Sequence, residues 1–261
     1  MTSLATWINL LDLDPALGAA LEPTELRQVK ERATAPTAVL PRGPLRAETA
    51  RLKRGGLGLL VVEGLLARRL RIGDRRSVEL LGPGDLLGPG SARDEAGLLR
   101  ADESWAALEP TRVAVLDCLF QQRTARWPEL HAALLDRAVA RADSLTLRLA
   151  LAQVPRLGDR LELVLWHLAE RWGRVEPRGV AVSLRLSHQL LAELVCAQRP
   201  SVTRALKELA RDDRIVPLPA GGWLLRGCPP TVGNDAHRVV AAPVTRLTAP
   251  AALPSAAAAR P

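Results

Sequence analysis

Tyrosine is absent from the 261 residues, phenylalanine and methionine occur once each, and lysine holds only three of the 36 basic positions. With so few aromatic rings there is no platform on which single-stranded bases could stack. The three cysteines, Cys118, Cys196 and Cys228, are far apart and in no C-x-x-C arrangement. That pattern argues against a disulfide framework and against a zinc or iron-sulfur centre, so neither a metal nor a cofactor is expected. No run of about twenty apolar residues is present to span a membrane. The opening MTSLATWINLLDLDPALG has neither a basic n-region nor a small-residue cleavage site, so it does not read as a signal peptide. A cytoplasmic protein is expected. The motifs of catalysis are missing too: there is no G-x-S-x-G, no H-E-x-x-H and no Walker loop, and His131, His167, His188 and His237 are scattered. An enzyme is therefore not expected.

What is there begins with length. A chain of 261 residues, 48% of them hydrophobic, can bury two modest cores joined by a connector. Its formal charge of +8 suits a polyanionic partner. Arginine supplies nearly all of that charge in a chain crowded with Ala, Leu, Pro and Gly. The excess therefore looks like nucleotide composition, and charge alone says little.

From about Thr37 to Asp117 short apolar runs alternate with glycine and proline, the pattern of a meander of short strands. Gly73-Asp74 can close a hairpin between Leu65–Ile72 and Arg76–Leu81, and Gly82-Pro83-Gly84-Asp85 suits a second reversal. The Gly-Pro-Gly triplets are not a phosphate loop, since no Lys-Ser/Thr follows. Pro128 to Gln153 differs in kind: it has no glycine, and its one proline stands at the start. Within it His131, Leu135, Ala138, Ala142, Leu145, Leu149 and Ala152 recur in steps of four and three, the seam of two paired helices. A single amphipathic helix packed on its own domain is the other reading of that spacing. Pro155 and Gly158 end the helix and form a hinge. A further helix, Asp159 to Trp172, follows with Leu161, Val164, Leu165, Leu168 and Trp172 on one face, and Gly173 stops it. The residues from Pro229 onward are rich in Pro and Ala without a period and read as a disordered tail.

The segment LSHQLLAELVCAQRPSVTRALKELARDDRIVPLPAGGWLLRG reads as two helices and a hairpin. Ser187 can cap a first helix whose Leu190, Leu191, Leu194 and Val195 face inward, with Ala192 small where helices cross. Cys196-Ala197-Gln198 makes the turn, and Pro200 opens the second helix at its first position. There Val202, Ala205, Leu206 and Leu209 bury one side, while Pro200, Arg204, Lys207 and Glu208 point away, flanked by Ser201 and Thr203. Donors thus lie where a major groove would be. Arg204 can reach guanine O6 and N7, a contact worth about 1–3 kcal/mol of discrimination, and Ser201 and Thr203 suit phosphate or thymine-methyl contacts. His188 suits a backbone phosphate. Strands Ile215–Leu218 and Trp223–Leu225 around Pro219-Ala220-Gly221-Gly222 complete a wing whose tip can lie against the DNA backbone. A charged face taken alone is ordinarily a solvated face; the capped helix, three-residue turn, proline-initiated helix and Gly-Gly hairpin together are far more specific.

At these residues the sequence closely resembles the Crp/Fnr family of bacterial transcription regulators, over nearly the whole chain. The likeness is strongest in RLGDRLELVLWHLAERWGRV and LSHQLLAELVCAQRPSVTRALKELARDDRI. It is weaker over VVEGLLARRLRIGDRRSVELLGPGDLLG, which looks like the sensory β-roll of the cyclic-nucleotide-binding fold. The resemblance implies an α+β chain: an N-terminal helical segment (1–36), a β-roll sensor (37–120), a long dimerisation helix (121–155), a winged helix-turn-helix (156–228) and a tail (229–261). It further implies a homodimer on a two-fold symmetric, palindromic DNA operator, with RNA polymerase as a further partner. Arg199 and Arg204 fall where the family's two DNA-contacting arginines stand. Ser187, His188, Gln189, Pro200, Ser201, Thr203, Lys207 and Gly221 complete the expected interface. Pro200 replaces the acidic residue with which members commonly read cytosine, so a different operator is implied. Cys196 replaces a frequent turn glycine.

The sensor departs further. Cyclic-nucleotide binders carry Gly-Glu and then an Arg-Ser/Thr-Ala run, but here the chain reads GDLLGPGSARDEAGLLRADESWAALEP, with Pro89 after Gly88. No cyclic AMP binding is expected, Arg93 and Arg100 being the remaining candidates to meet a phosphate, and the effector is unknown. The amino-terminal cysteine cluster of the oxygen-sensing branch is also missing, and nothing supports haem. The rival reading is a small-molecule-binding or protein-interaction module whose winged helix docks a protein.

Overall fold

The computed structural model describes residues 4–45, 56–88 and 101–231. Arg93, Arg100 and the expected tail from residue 232 lie outside the described residues. The chain divides into two compact units, Met1–Leu145 and Thr146–Pro261.

The first unit is built on two antiparallel sheets. One has the strand order β1 (Leu4–Asn9), β2 (Thr34–Leu40), β9 (Thr111–Leu116), β4 (Gly58–Glu63), β7 (Leu86–Leu87). The other runs β3 (Gly43–Pro44), β8 (Asp102–Ala107), β5 (Leu66–Ile72), β6 (Arg75–Leu81). Apolar runs such as GLLVVE have no alternation because the first sheet is buried on both faces. Successive side chains of a strand point to opposite faces. Leu59, Val61, Val113 and Val115 accordingly join Leu66, Leu81 and Ala107 of the second sheet in one core. Leu60, Val62, Ala114 and Leu116 turn to the other core, which the helices of this unit cover.

Those helices are α1 (Leu10–Leu13), α2 (Pro23–Arg32), α3 (Cys118–Thr124) and α4 (Pro128–Ala152), with a 3-10 turn at Pro15–Gly18. Asn9 caps α1 by accepting from Leu11 N, and Asp117 caps α3 by accepting from Phe120 N. Phe120, Trp127, Leu130 and Leu134 then anchor α3 and the start of α4 in the core. The segment 1–36, expected to be helical, opens instead on β1. Leu4–Asn9 pairs antiparallel with β2, Trp7 opposite Pro36 and Asn9 opposite Thr34, so a partner about thirty residues on decides a segment whose local pattern is ambiguous. The hairpin β5–β6 is paired from Leu66↔Leu81 to Ile72↔Arg75, and Gly73 takes φ +55 in the turn, a left-handed conformation open to glycine. Gly82 N donates to Asp85 Oδ2 at 2.8 Å in the second expected reversal.

A charge network lies on the inward face of the second sheet and reaches α4. Arg141 of α4 clasps Glu79 of β6 through two nitrogens, Nη2 to Oε2 at 2.9 Å, and its Nη1 donates to Leu86 O at 3.4 Å. Arg68 of β5 approaches the same carboxylate at 3.6 Å and donates from Nε to Glu103 Oε1 at 2.9 Å. Its guanidinium lies 5.7 Å from the centre of the Trp105 ring. The paired carboxylate raises the pKa of Arg141, more than burial lowers it.

The second unit holds α5 (Leu157–Trp172), β10 (Gly173–Glu176), β11 (Gly179–Val182), α6 (His188–Leu194), α7 (Arg199–Arg211), β12 (Ile215–Pro217) and β13 (Trp223–Leu225). The α4–α5 break falls where Pro155 was expected to place it, and Arg160 Nη1 donates to Val154 O at 2.9 Å and Ala152 O at 3.3 Å, satisfying carbonyls at the end of α4. Gly158, expected in the hinge, is already inside α5. Leu161, Val164, Leu165 and Leu168 are buried as expected, with Trp172 half-buried. The wing is not a lone hairpin. Strands β10 and β11, absent from the sequence reading, extend it to a sheet ordered β10-β11-β13-β12, with Val180 opposite Leu225 and Val182 opposite Trp223.

Candidate DNA-binding surface

Ser187 caps α6, its Oγ accepting from Leu190 N at 3.1 Å. Leu190, Leu191, Ala192, Leu194 and Val195 are buried, and the chain turns at Cys196, φ +53, where Ala197 N donates to Ala192 O at 2.9 Å. Helix α7 then starts at Arg199, one residue earlier than expected, so Pro200 holds its second position. That position also lies in the first turn, where a missing N–H costs nothing.

Val202 is fully buried and Ala205, Leu206 and Leu209 nearly so. The same periodicity that sinks them leaves Arg199, Pro200, Ser201, Arg204, Lys207 and Glu208 exposed. Thr203 is half-buried. Its hydroxyl donates to Arg199 O at 3.0 Å and lies 2.9 Å from His188 Nδ1. Ser187, His188 and Gln189 are exposed, and Gln189 Nε2 donates to Glu193 Oε1 at 3.3 Å. The structure thus brings His188 of α6 and Thr203 of α7 together, and the other expected site residues of the two helices are exposed.

At the wing, Gly221 has φ +95 and Gly222 φ +91. A Cβ on Gly222 would meet Val182 O at 2.1 Å, so the turn requires glycine there. Arg185 is a further residue of this surface that its sequence context does not single out. It is exposed, its Nε donates to Ala220 O at 2.9 Å, and its stem packs against Gly221, which sets a cation on the wing turn. The signal was a basic residue two positions before the helix cap, indistinguishable in sequence from the other arginines. Behind the surface, Arg214 Nη2 meets Glu162 Oε1 at 2.7 Å, tying α5 to the residue before β12. Burial raises the Glu162 pKa, opposed by the Arg214 charge.

Along α4, Leu135 is 62% exposed and Leu149 69% exposed, and Val139, which the expected seam omits, stands with them in the open. Ala142 is exposed, while Ala138, Leu145 and Ala152 are intermediate. His131 is turned toward its own unit: Nε2 lies 2.9 Å from Thr124 Oγ1, and burial lowers its pKa.

Residues 159–222 match a family model described as the Crp-like helix-turn-helix domain. Sequence comparison with curated proteins finds no match. Among solved structures, a doubly substituted mutant of CooA from Carboxydothermus hydrogenoformans is similar at TM-score 0.59 and 19% identity, over 87% of this chain and 96% of that one. The c-di-GMP responsive global regulator CLP of Xanthomonas campestris gives TM-score 0.55 at 20% identity, over 79% and 100%. FixK2 from Bradyrhizobium japonicum gives 0.54 at 17%, over 74% and 93%. The chain therefore has the fold of the Crp/Fnr transcription regulators, with the expected α+β architecture. Within it, residues 159–222 are a Crp-like helix-turn-helix domain. No described helix is long and apolar enough to cross a membrane.

Proposed function

We propose that the protein is a sequence-specific DNA-binding transcription regulator of the cytoplasm, not an enzyme, acting as a homodimer on a two-fold symmetric operator. The observation that carries this reading is the outward arginine face of α7, Arg199, Arg204 and Lys207, held in place by the buried Val202, Leu206 and Leu209. Arg204 reads a guanine in the major groove. Arg199, Ser201 and Lys207 flank it, and Ser187, His188, Gln189 and the wing at Gly221 hold the phosphate backbone. The exposed stripe of α4 from Leu135 to Leu149 is the dimer seam, which sets the two recognition helices on successive half-sites. The first unit is a sensor without a cyclic AMP site, its effector open, and RNA polymerase is the partner through which the regulator acts.

Arg204→Ala is expected to abolish the preference for operator over random duplex while the dimer persists, read by fluorescence anisotropy on both duplexes. Equal loss on the two would reduce Arg204 to a phosphate contact. Against the rival in which the winged helix docks a protein, affinity for DNA is expected to fall steeply with added salt, as phosphate neutralisation releases counterions.

A further inference from the structure

His188 and Thr203 form a unit whose hydrogens can be counted. The carbonyl of Arg199 only accepts, so the hydroxyl of Thr203, 3.0 Å away, spends its one proton there. What that oxygen has left toward His188 Nδ1, 2.9 Å away, is a lone pair. Nδ1 must therefore carry the ring hydrogen and donate it. A neutral imidazole protonated at Nδ1 has a bare Nε2, an acceptor that a phosphate oxygen repels. The residue is exposed and stands beside the first turn of α7.

From this we infer that His188 holds a DNA backbone phosphate only as the imidazolium, so that a protomer whose free imidazole is neutral takes up one proton from solvent when it binds duplex. Thr203, its hydroxyl committed inside the domain, offers the duplex its methyl group. The inference rests on the DNA-binding reading and adds to it a proton, a tautomer and a pH dependence. On binding, the proton goes to Nε2, the new N–H donates to a phosphate oxygen, and Nδ1–H stays on Thr203. The ionisable groups of the two helices that pack here are Glu193 on α6, which accepts from Gln189, and Arg199, Arg204, Lys207, Glu208 and Arg211 on α7. Two further ionisable groups of the same unit are His167, whose Nδ1 lies 3.1 Å from Glu170 Oε2, and the buried Glu162. A variant at His188 leaves both in place.

Two measurements on the full chain test the inference. Nitrogen-15 histidine spectra of the free protein at pH 8.5 are expected to show the Nδ1–H tautomer for the signal that His188→Gln removes; the Nε2–H tautomer there overturns the proposal. Binding is then followed by anisotropy from pH 5.5 to 8.5, on a labelled 30-base-pair random duplex and on a duplex recovered by genome-wide mapping of bound sites. Wild-type affinity is expected to rise about tenfold as pH falls, with the salt slope steeper by about one per protomer. His188→Gln places a neutral donor where Nε2 lay and is expected to bind with a flat pH profile. His188→Asn places its donor where Nδ1 lay, out of reach of the phosphate, and is expected to be flat and weaker. A wild-type profile that is flat, or that both variants reproduce, overturns the proposal. Failure of every form to bind either duplex at any pH is a different result and overturns the DNA-binding reading itself.

Discussion

Glu162 shows what a single side chain can cost. It is 1% exposed, and although Arg214 meets it at 2.7 Å, burial prevails and raises its pKa. A carboxyl whose folded pKa lies above its unfolded value binds its proton more tightly in the native state. Stability is therefore gained as pH falls through the folded pKa, and the charged form is a liability at neutral pH. Wild type is expected to gain denaturant resistance relative to Glu162→Gln as pH falls from neutral toward the ordinary carboxyl value of 4.5, as chemical unfolding across that range will report. Arg214 is partly exposed, so the loss of its partner leaves a hydrated cation rather than a buried one. Cys196 is the second residue of this kind. At φ +53 a side chain bears a steric penalty that glycine escapes. Cys196→Gly is expected to stabilise the domain by about 1 kcal/mol, a gain measurable by thermal unfolding.

At the scale of elements, the pairing of α4 with the β-roll depends on charge as well as on apolar packing. Arg141 is the only cation clasping Glu79 through two nitrogens among the described residues, with Arg68 at 3.6 Å as a weaker second. Removal of one partner from a buried pair leaves the other charge stranded. Arg141→Met is expected to cost about 3 kcal/mol by urea unfolding, and the double change Glu79→Leu with Arg141→Met considerably less, since the stranded carboxylate goes with it. The wing is the opposite case. Its three-residue strands gain support from β11, whose Val180 and Val182 lie opposite Leu225 and Trp223, and Arg185 pins the turn.

At the scale of the whole molecule, the apolar stripe of α4 asks for a partner. Leu135, Val139 and Leu149 stand in the open on a helix of 25 residues. If a second copy covers them, Leu135→Asp with Leu149→Asp is expected to yield a monomer in sedimentation and to weaken binding to a palindromic duplex by orders of magnitude, because the half-sites are then engaged separately. Unchanged mass in sedimentation would overturn the seam.

The sequence by itself determined the features whose causes are local. These are the span of α4, the cap at Ser187, the three-residue turn, the buried and exposed faces of α7 and the β5–β6 hairpin, because helical period, capping and turn chemistry act within a few residues. Only the tertiary structure decided β1, which waits for β2, and the β10–β11 pair beneath the wing, since a short strand is defined by a partner its own pattern cannot name. The same holds for the charge pairs. Arg141, Arg185 and Arg214 look alike in a chain full of arginine, and what distinguishes them is the carboxylate or carbonyl that folding brings to each.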